Sequence, residues 1–482
     1  MTKSITVAYG DGIGPEIMEA VLYILKEAKA NINFETVEVG ENLYTKGYKS
    51  GISDNTWESL KRTKVILKAP ITTPQGGGYK SLNVTMRKTL GLFANIRPTI
   101  SYAPFVATKH PEIDLVIIRE NEEDLYAGIE HRQTTDMYQT LKLISRTGCE
   151  KIIRFAFEYA VKNNRHKVTC MSKDNIMKMT DGIFHKVFDE IKKDYPQLES
   201  EHYIIDIGTA RIAARPNIFD VIVTSNLYGD IISDVAAEVS GSVGLAGSAN
   251  IGTEYALFEA IHGSAPDIAG NNIANPSGLL HGALMMLIHI GQPKIAEKIH
   301  NAWSCTIEEG IHTADIYNQA LSKQKAGTKE FAEAVVKRLG KIPHKFKPVS
   351  YPEVQPGNIR THVSNIPTVN KQLVGSDIFI DIKNTSPDDI ANKINTLADG
   401  KLRLQGISAK GLALWPKTHQ MINITCDHWC LRFVPIGENK ICTHQDIIEL
   451  LNKLNGAQID VIKTENLYLF DGQLGFSLSQ GE

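Results

Sequence analysis

The chain has 482 residues, of which 42% are apolar and 22% charged, and its formal net charge is −2. That length exceeds one typical domain, so two or three are expected, each with a core of ordinary size. Near-neutral charge leaves no global basic field for nucleic acid, so positive clusters must be local devices for small anions or plain solvated surface.

Ile5–Tyr9 predicts a buried strand rather than a secretory signal, because no charged stretch leads an apolar one. Gly10-Asp11-Gly12-Ile13-Gly14 follows, and Pro15-Glu16 opens a helix with Ile17, Val21, Leu22 and Leu25 on its apolar side. The glycines are spaced G-x-G-x-G, not G-x-G-x-x-G, and no acidic residue ends a following strand at the right distance, so a Rossmann dinucleotide site is rejected. Val65–Leu67 is a second strand, running into the Pro/Gly-rich loop Ala69–Gly78, a place where α/β proteins put ligands.

From Phe93 to Ser240, strands are predicted at Leu115–Ile118, Val168–Met171, Tyr203–Ile207 and Val221–Thr224, with a clear helix at Cys149–Lys162. Gly241–Gly252 is glycine-rich, and helices return near Ala283–His289 and Phe331–Leu339. Alternating strand and helix predicts α/β architecture. Leu279–Ile290, the longest apolar-rich stretch, contains His281 and Gly282 and is too short to span a bilayer. Five prolines mark Lys341–Gln372 as a linker. The remainder follows a β-α-β-β-α-β order, predicting a small ferredoxin-like α+β module. Six scattered cysteines point to a reducing, cytoplasmic setting. Cys426, His428, Cys430, Cys442 and His444 do not match the usual zinc spacings, and strand alternation explains them equally well.

Arg87, Arg97 and Arg119 each fall near a strand end or loop, and converging guanidinium groups suit a small polycarboxylate. Ser81 and Asn83 add neutral donors. Asp230 and Asp234 stand at i, i+4 on a predicted helix, either as ligands of Mg²⁺ or Mn²⁺ or as carboxylates favouring the helix N-terminus. Asp206, ending a predicted strand, is a third candidate. Tyr126 and Lys173 also follow strand ends and are candidate proton carriers. The segment Glu259-Ala260-Ile261-His262-Gly263-Ser264-Ala265-Pro266-Asp267-Ile268-Ala269-Gly270, with Asn275-Pro276 beyond it, includes a loop of small residues that offers backbone N–H groups to a pyrophosphate.

Taken together, the segments GDGIGPE, TTPQGGGYKSLNVTMR, RENEEDLYAGIE, SKDNIMK, NLYGDIISD and EAIHGSAPDIAG resemble the β-decarboxylating dehydrogenase family of isocitrate and 3-isopropylmalate dehydrogenases over about Ile5 to Leu339. Within that family Ser81-Leu82-Asn83 matches the isocitrate enzymes, whose extra carboxylate they would hold. The resemblance implies substrate binding by Ser81, Asn83, Arg87, Arg97 and Arg119, and Mg²⁺ or Mn²⁺ at Asp230 and Asp234 with Asp206 of a neighbouring subunit. It implies proton handling by Tyr126 and Lys173. Thr73, Asn175 and nearby Lys68 would face the nicotinamide, and His262, Gly263 to Ile268 and Asn275 the adenosine half. A homodimer with shared active sites follows. So does a two-domain fold that is not Rossmann, with residues 1–92 and 241–340 as the large domain and 93–240 as the small one. A linker at 341–372 would lead to the module at 373–482.

The implied reaction is oxidative decarboxylation of isocitrate to 2-oxoglutarate. Rivals are another acid of the family (homoisocitrate, 3-isopropylmalate or tartrate) or a metabolite-binding sensor. Asp267-Ile268 stands where NADP enzymes of the family usually carry Lys-Tyr. NAD is therefore the expected coenzyme, with NADP the alternative.

Overall fold

The computed structural model describes residues 2–48, 51–74, 80–353, 368–398, 400–416, 424, 426–437 and 442–480. The loop glycines 76–78 and the linker stretch 354–367 lie outside the described residues. The chain divides into two compact units, residues 1–127 with 142–364 and residues 128–141 with 365–482.

In the first unit, strands β1 (Lys3–Ala8), β2 (Ile32–Val37), β3 (Val65–Lys68), β4 (Ala94–Ile100) and β5 (Asp114–Glu120) come first. A hairpin of the second unit follows, β6 (Glu130–Arg132) and β7 (Tyr138–Thr140). Then β8 (Lys167–Ser172), β9 (Glu199–Ile204), β10 (Val221–Thr224), β11 (Gly247–Ile251) and β12 (Ala256–Ala260) complete one ten-stranded sheet. Its order is β2-β1-β3-β12-β11-β4-β5-β10-β8-β9. Two parallel groups flank a central antiparallel stretch in which β11 pairs β12 on one side and β4 on the other. This is a mixed α/β sheet, not the 3-2-1-4-5-6 order of a Rossmann fold. The parallel strands read as continuous apolar runs because helices cover both faces. Val65–Lys68 and Val221–Thr224 are buried throughout. The helix Ser277–His289 is buried along most of its length, and among the described residues no helix is long and apolar enough to cross a membrane.

The predicted strand Tyr203–Ile207 is corrected: β9 stops at Ile204, and a helix runs from Ile205 to Ala214. An isoleucine-rich run fits strand and helix alike, and Asp206 in the first turn suits the positive end of a helix. Residues 341–353, inside the predicted linker, lie along the helix Pro293–Glu308. Glu308 accepts the backbone N–H groups of His344 and Lys345, Asn301 bonds both backbone groups of Val349, and Phe346 and Tyr351 pack on the core.

After the short pair β13 (Ile311–His312) and β14 (Gln324–Lys325), the second unit supplies β15 (Lys371–Asp381), β16 (Leu402–Ala409), β17 (Leu412–Trp415), β18 (His428–Pro435), β19 (Asp460–Phe470) and β20 (Gln473–Leu474). They form an antiparallel sheet in the order β17-β16-β18-β15-β19-β20. Setting aside the small hairpin strands β17 and β20, the order is the ferredoxin-like one expected. Ser386 caps the helix Pro387–Asn395, and Thr443 with Asp446 makes a capping box for His444–Gly456. The hairpin β6–β7 belongs here because Asp427 accepts hydrogen bonds from Thr134 Oγ1 (2.7 Å) and the Asp136 N–H, while Lys383 Nζ donates to Thr135 Oγ1.

Candidate active site

Sheet topology carries three chemistry-bearing side chains to one place. Lys68 ends β3, Glu259 lies near the end of the neighbouring β12, and Arg87 reaches in from the helix Leu82–Thr89. Glu259 pairs with Lys68 Nζ at 2.7 Å and with Arg87 at 3.0 Å, and it accepts a further bond from Asn250 Nδ2. Burial works against ionisation of Glu259, but the two cations outweigh it and hold the carboxyl well below the usual range.

Beside this cluster, Arg119 comes from the end of β5 and Arg97 from the middle of β4, both buried. Asn226 Oδ1 accepts from Arg119 Nε at 3.0 Å, while Asp230 bonds Arg119 and lies 3.2 Å from Arg97. Arg97 also donates to Asn95 Oδ1 and Ser233 Oγ, fixing both ends of its guanidinium. Asn226, Asp230 and Ser233 all belong to the helix Asn226–Ser240. Gly229 lets that helix close on Arg119, since a Cβ there would stand 2.5 Å from Arg119 Cγ. The glycine thus repays a helix-propensity cost of about 1 kcal/mol by packing. Tyr126 donates to Asp230, and its ring lies under the Arg119 guanidinium, 4.8 Å from centroid to Cζ. Burial of Arg119, with repulsion from Arg97, pulls its pKa down to about 10, whereas burial raises that of Tyr126.

These groups share one cleft of about 340 Å³, whose walls include Lys68, Thr73, Ser81, Asn83, Arg87, Arg97, Arg119, Tyr126, Asp230, Glu259, His262 and Gly263. Four cations face two carboxylates there, and Asp234, 3.5 Å from Arg97, offsets a third charge, leaving one positive charge in excess. Asn83 Oδ1, Arg87 Nε and His262 Nε2 are buried without a hydrogen-bond partner among the described residues, as expected of a wall that waits for a polar ligand.

Other predicted residues lie elsewhere. Ser264 bonds the Thr72 hydroxyl, and its carbonyl accepts the Ile13 N–H at 2.9 Å. Asp11 N–H donates to Pro70 O, and a Cβ on Gly10 or Gly12 would meet Pro70 O or Ser264 O near 2 Å. The GDGIG turn is therefore a joint holding the two loops beside the cleft. Ala265 has φ 37°, Pro266–Ile268 form one short turn, and buried Asn275 donates to Asp315 and accepts the Ser277 N–H. Lys173, Asn175 and Asp206 do not line the cleft. Lys173 Nζ pairs with Asp206 at 2.6 Å, and Asn175 is exposed.

The carboxylate set suits a hard divalent cation. Asp234 sits one turn beyond Asp230, 3.5 Å from Arg97, and its pKa is raised by burial and by Asp230, a repulsion that a cation relieves. Asp230 and Asp234 can hold such an ion, but Asp206 of the same chain is not brought to them. Among the described residues, Cys426 Sγ bonds the His428 carbonyl, and the Cys/His run at 426–444 contributes to no cluster of metal-ligating side chains.

The sequence reading gives no role of their own to Glu259, Asn226, Asn250 and Ser233. The signal available for Glu259 was a carboxylate inside an otherwise apolar strand, Ala256-Leu257-Phe258-Glu259-Ala260, where burial demands a partner.

Buried arginines, paired carboxylates and a protonated tyrosine around one cleft of a mixed α/β sheet define an enzyme for a small polycarboxylic acid. Residues 4–335 match the model of the isocitrate/isopropylmalate dehydrogenases, and residues 371–482 that of the bacterial isocitrate dehydrogenase C-terminal domain. The chain belongs to the isocitrate/isopropylmalate dehydrogenase family. It is 67% identical over 481 residues to a Rickettsia bellii protein named isocitrate dehydrogenase [NADP], covering 99% of each chain. It is 41% identical to a Thermus thermophilus protein of the same name, covering 100% of this chain and 96% of that one. The crystal structure of the TT0538 protein from Thermus thermophilus superposes with a TM-score of 0.94 at 41% identity, over 99% of this chain and 96% of the other.

These relatives overturn the expectation of NAD, since those matching the whole chain are named for NADP. Asp267, on which that expectation rested, is exposed. In water a unit pair at 4 Å repels by only about 1 kcal/mol, less in salt, too little to exclude a phosphate.

Proposed function

We propose that this protein oxidises and decarboxylates isocitrate to 2-oxoglutarate and CO₂ with NADP⁺, aided by Mg²⁺ or Mn²⁺, as a homodimer in the cytoplasm. The observation that carries the reading is the cleft itself, where the buried cations Lys68, Arg87, Arg97 and Arg119 stand beside Ser81 and Asn83. Arg87, Arg97 and Arg119 take the substrate carboxylates, each held by partners that fix its direction before substrate arrives. Ser81 and Asn83 hold the carboxylate that distinguishes isocitrate from 3-isopropylmalate. Asp230 and Asp234 would hold a cation that supplies polarisation of the C2 oxygen, and the bound dinucleotide would supply the hydride acceptor. Tyr126, kept protonated by burial and already hydrogen-bonded at Asp230, delivers a proton to C3 after CO₂ departs. Lys173 and Asp206, paired with each other away from the cleft, serve the cleft of a second copy. Relatives named for NADP support the coenzyme, and six free cysteines support a reducing compartment.

The test is a matrix of isocitrate, homoisocitrate, 3-isopropylmalate and tartrate against NADP⁺ and NAD⁺ with Mg²⁺, read by absorbance of the reduced nicotinamide. Isocitrate with NADP⁺ should give the highest kcat/KM, and turnover confined to another acid would reject the assignment. Sharing of sites is tested by co-expressing Arg119→Ala and Asp206→Asn chains. Each alone is impaired, and the mixture should regain activity through heterodimers carrying one intact site.

A further inference from the structure

Lys142 stands outside the cleft, in the first unit, with a side chain only 11% exposed. Its ammonium lies 2.7 Å from Asp181 Oδ1, 3.4 Å from Asp124 Oδ1 and 4.5 Å from the centroid of the Tyr228 ring. Both carboxylates are buried. The two oxygens that face the ammonium have no hydrogen-bonding partner among the described residues, and there Lys142 is the only cation paired with either aspartate. Two buried negative charges thus rely on one ammonium, and removing it leaves both uncompensated.

The remaining bonds of each aspartate lead towards a proton carrier. Asp124 Oδ2 accepts the Ser225 hydroxyl at 3.1 Å and the Leu227 N–H at 2.8 Å, which holds the start of the helix that bears Asp230 and Asp234. The Asp124 carbonyl accepts the Ala127 N–H and closes the turn that carries Tyr126, while the Asp124 N–H donates to the carbonyl of Leu143, the neighbour of Lys142. On the other side, Asp181 Oδ2 accepts the Lys173 N–H at 2.6 Å, and the Lys173 carbonyl accepts from Ile176 and Met177. Lys142 therefore ties the turn of Tyr126 to the loop of Lys173.

That tie matters because of the shared-cleft reading above, on which this inference rests: Tyr126 serves the cleft of its own chain, and Lys173 that of a second copy. We propose that Lys142 is a positioning residue for both, so that one buried ammonium aligns a proton carrier in each of two clefts. Neither of its carboxylate partners lines the cleft, so Lys142 acts on the geometry of proton delivery and not on capture of the substrate.

The test uses full-length heterodimers of one parent and one variant chain, isolated through two different affinity tags and assayed with isocitrate, NADP⁺ and Mg²⁺. Arg119→Ala spoils only the cleft of its own chain, so its heterodimer should keep about half the parental kcat. Lys142→Met should impair both clefts and leave less than about a tenth of kcat, with KM for isocitrate within about threefold of the parent's. Slowed proton delivery should also raise the solvent deuterium isotope effect on the residual kcat, which a merely structural loss would leave unchanged. Half-activity in the Lys142→Met heterodimer, a loss confined to KM, or an unchanged isotope effect overturns the proposal. If Lys142→Met yields no heterodimer, Lys142→Met with Asp181→Asn removes the surplus buried charge along with the tie and is read in the same way. Failure of the Arg119→Ala and Asp206→Asn chains to complement rejects the shared-cleft reading and this inference with it. Success there, with half-activity for Lys142→Met, rejects this inference alone.

Discussion

Replacing Glu259 by Gln keeps the shape of the side chain and removes the one negative charge between Lys68 and Arg87. The side chains of Lys68, Glu259 and Arg87 are 1%, 7% and 10% exposed, so solvent cannot take over the lost role. At 2.7 and 3.0 Å and an effective dielectric near 20, each pair attracts by roughly 6 kcal/mol before desolvation and Lys68–Arg87 repulsion are counted. Removing one partner of a buried pair typically costs about 3–5 kcal/mol net, and that is the expected loss here. The sign with pH follows from the depressed folded-state pKa of Glu259. The stabilisation is fully present above the unfolded value of about 4.3 and is lost as pH falls from there towards the folded value. Urea unfolding of parent and variant at pH 7 should therefore differ by that amount, and the gap should narrow below about pH 4. A difference under about 0.5 kcal/mol at pH 7 would show that the ion cluster does not hold this end of the sheet together. A pH-independent gap would show that shape rather than charge was lost.

Arg119→Ala should lower kcat/KM for isocitrate by the equivalent of about 2–5 kcal/mol, because it strips a buried partner from the substrate and from Asp230. A near-parental value would remove Arg119 from substrate binding. Asp234→Asn should shift the Mg²⁺ activation curve to higher concentration while leaving NADP⁺ binding nearly unchanged, and overlapping metal titrations would return Asp234 to a purely helical role. Asp267→Asn should change the ratio of kcat/KM for NADP⁺ and NAD⁺ by less than about fivefold, since an exposed carboxylate is worth less than about 1 kcal/mol. A tenfold change would restore the loop as the discriminator.

How much of this was legible in the sequence depends on how far apart the partners lie. The α/β alternation, the Cys149–Lys162 helix and the ferredoxin-like module come from local periodicity and caps such as Ser386-Pro387 and Thr443, so the chain announces them. Arg87, Arg97 and Arg119 are visible as residue types near strand ends and loops, but their direction is not, because it is set by Glu259, Ser233 and Asn226 from other segments. The strand of Arg97 itself escaped notice, since Pro98 sits in the middle of β4 and breaks the expected strand pattern. Longest in range is the hairpin around Thr134, whose hydrogen bond to Asp427 spans 293 residues. No local pattern can announce such a contact, because neither a threonine in a turn nor an aspartate before a strand is unusual alone. The same logic applies to Asp267. The force of its charge depends on its solvent exposure, which no neighbouring residue in the sequence reveals. Glu259 marks the opposite case. Its burial strengthens every contact that it makes, so a carboxylate to which the sequence assigns no role holds two of the cleft's four cations in place.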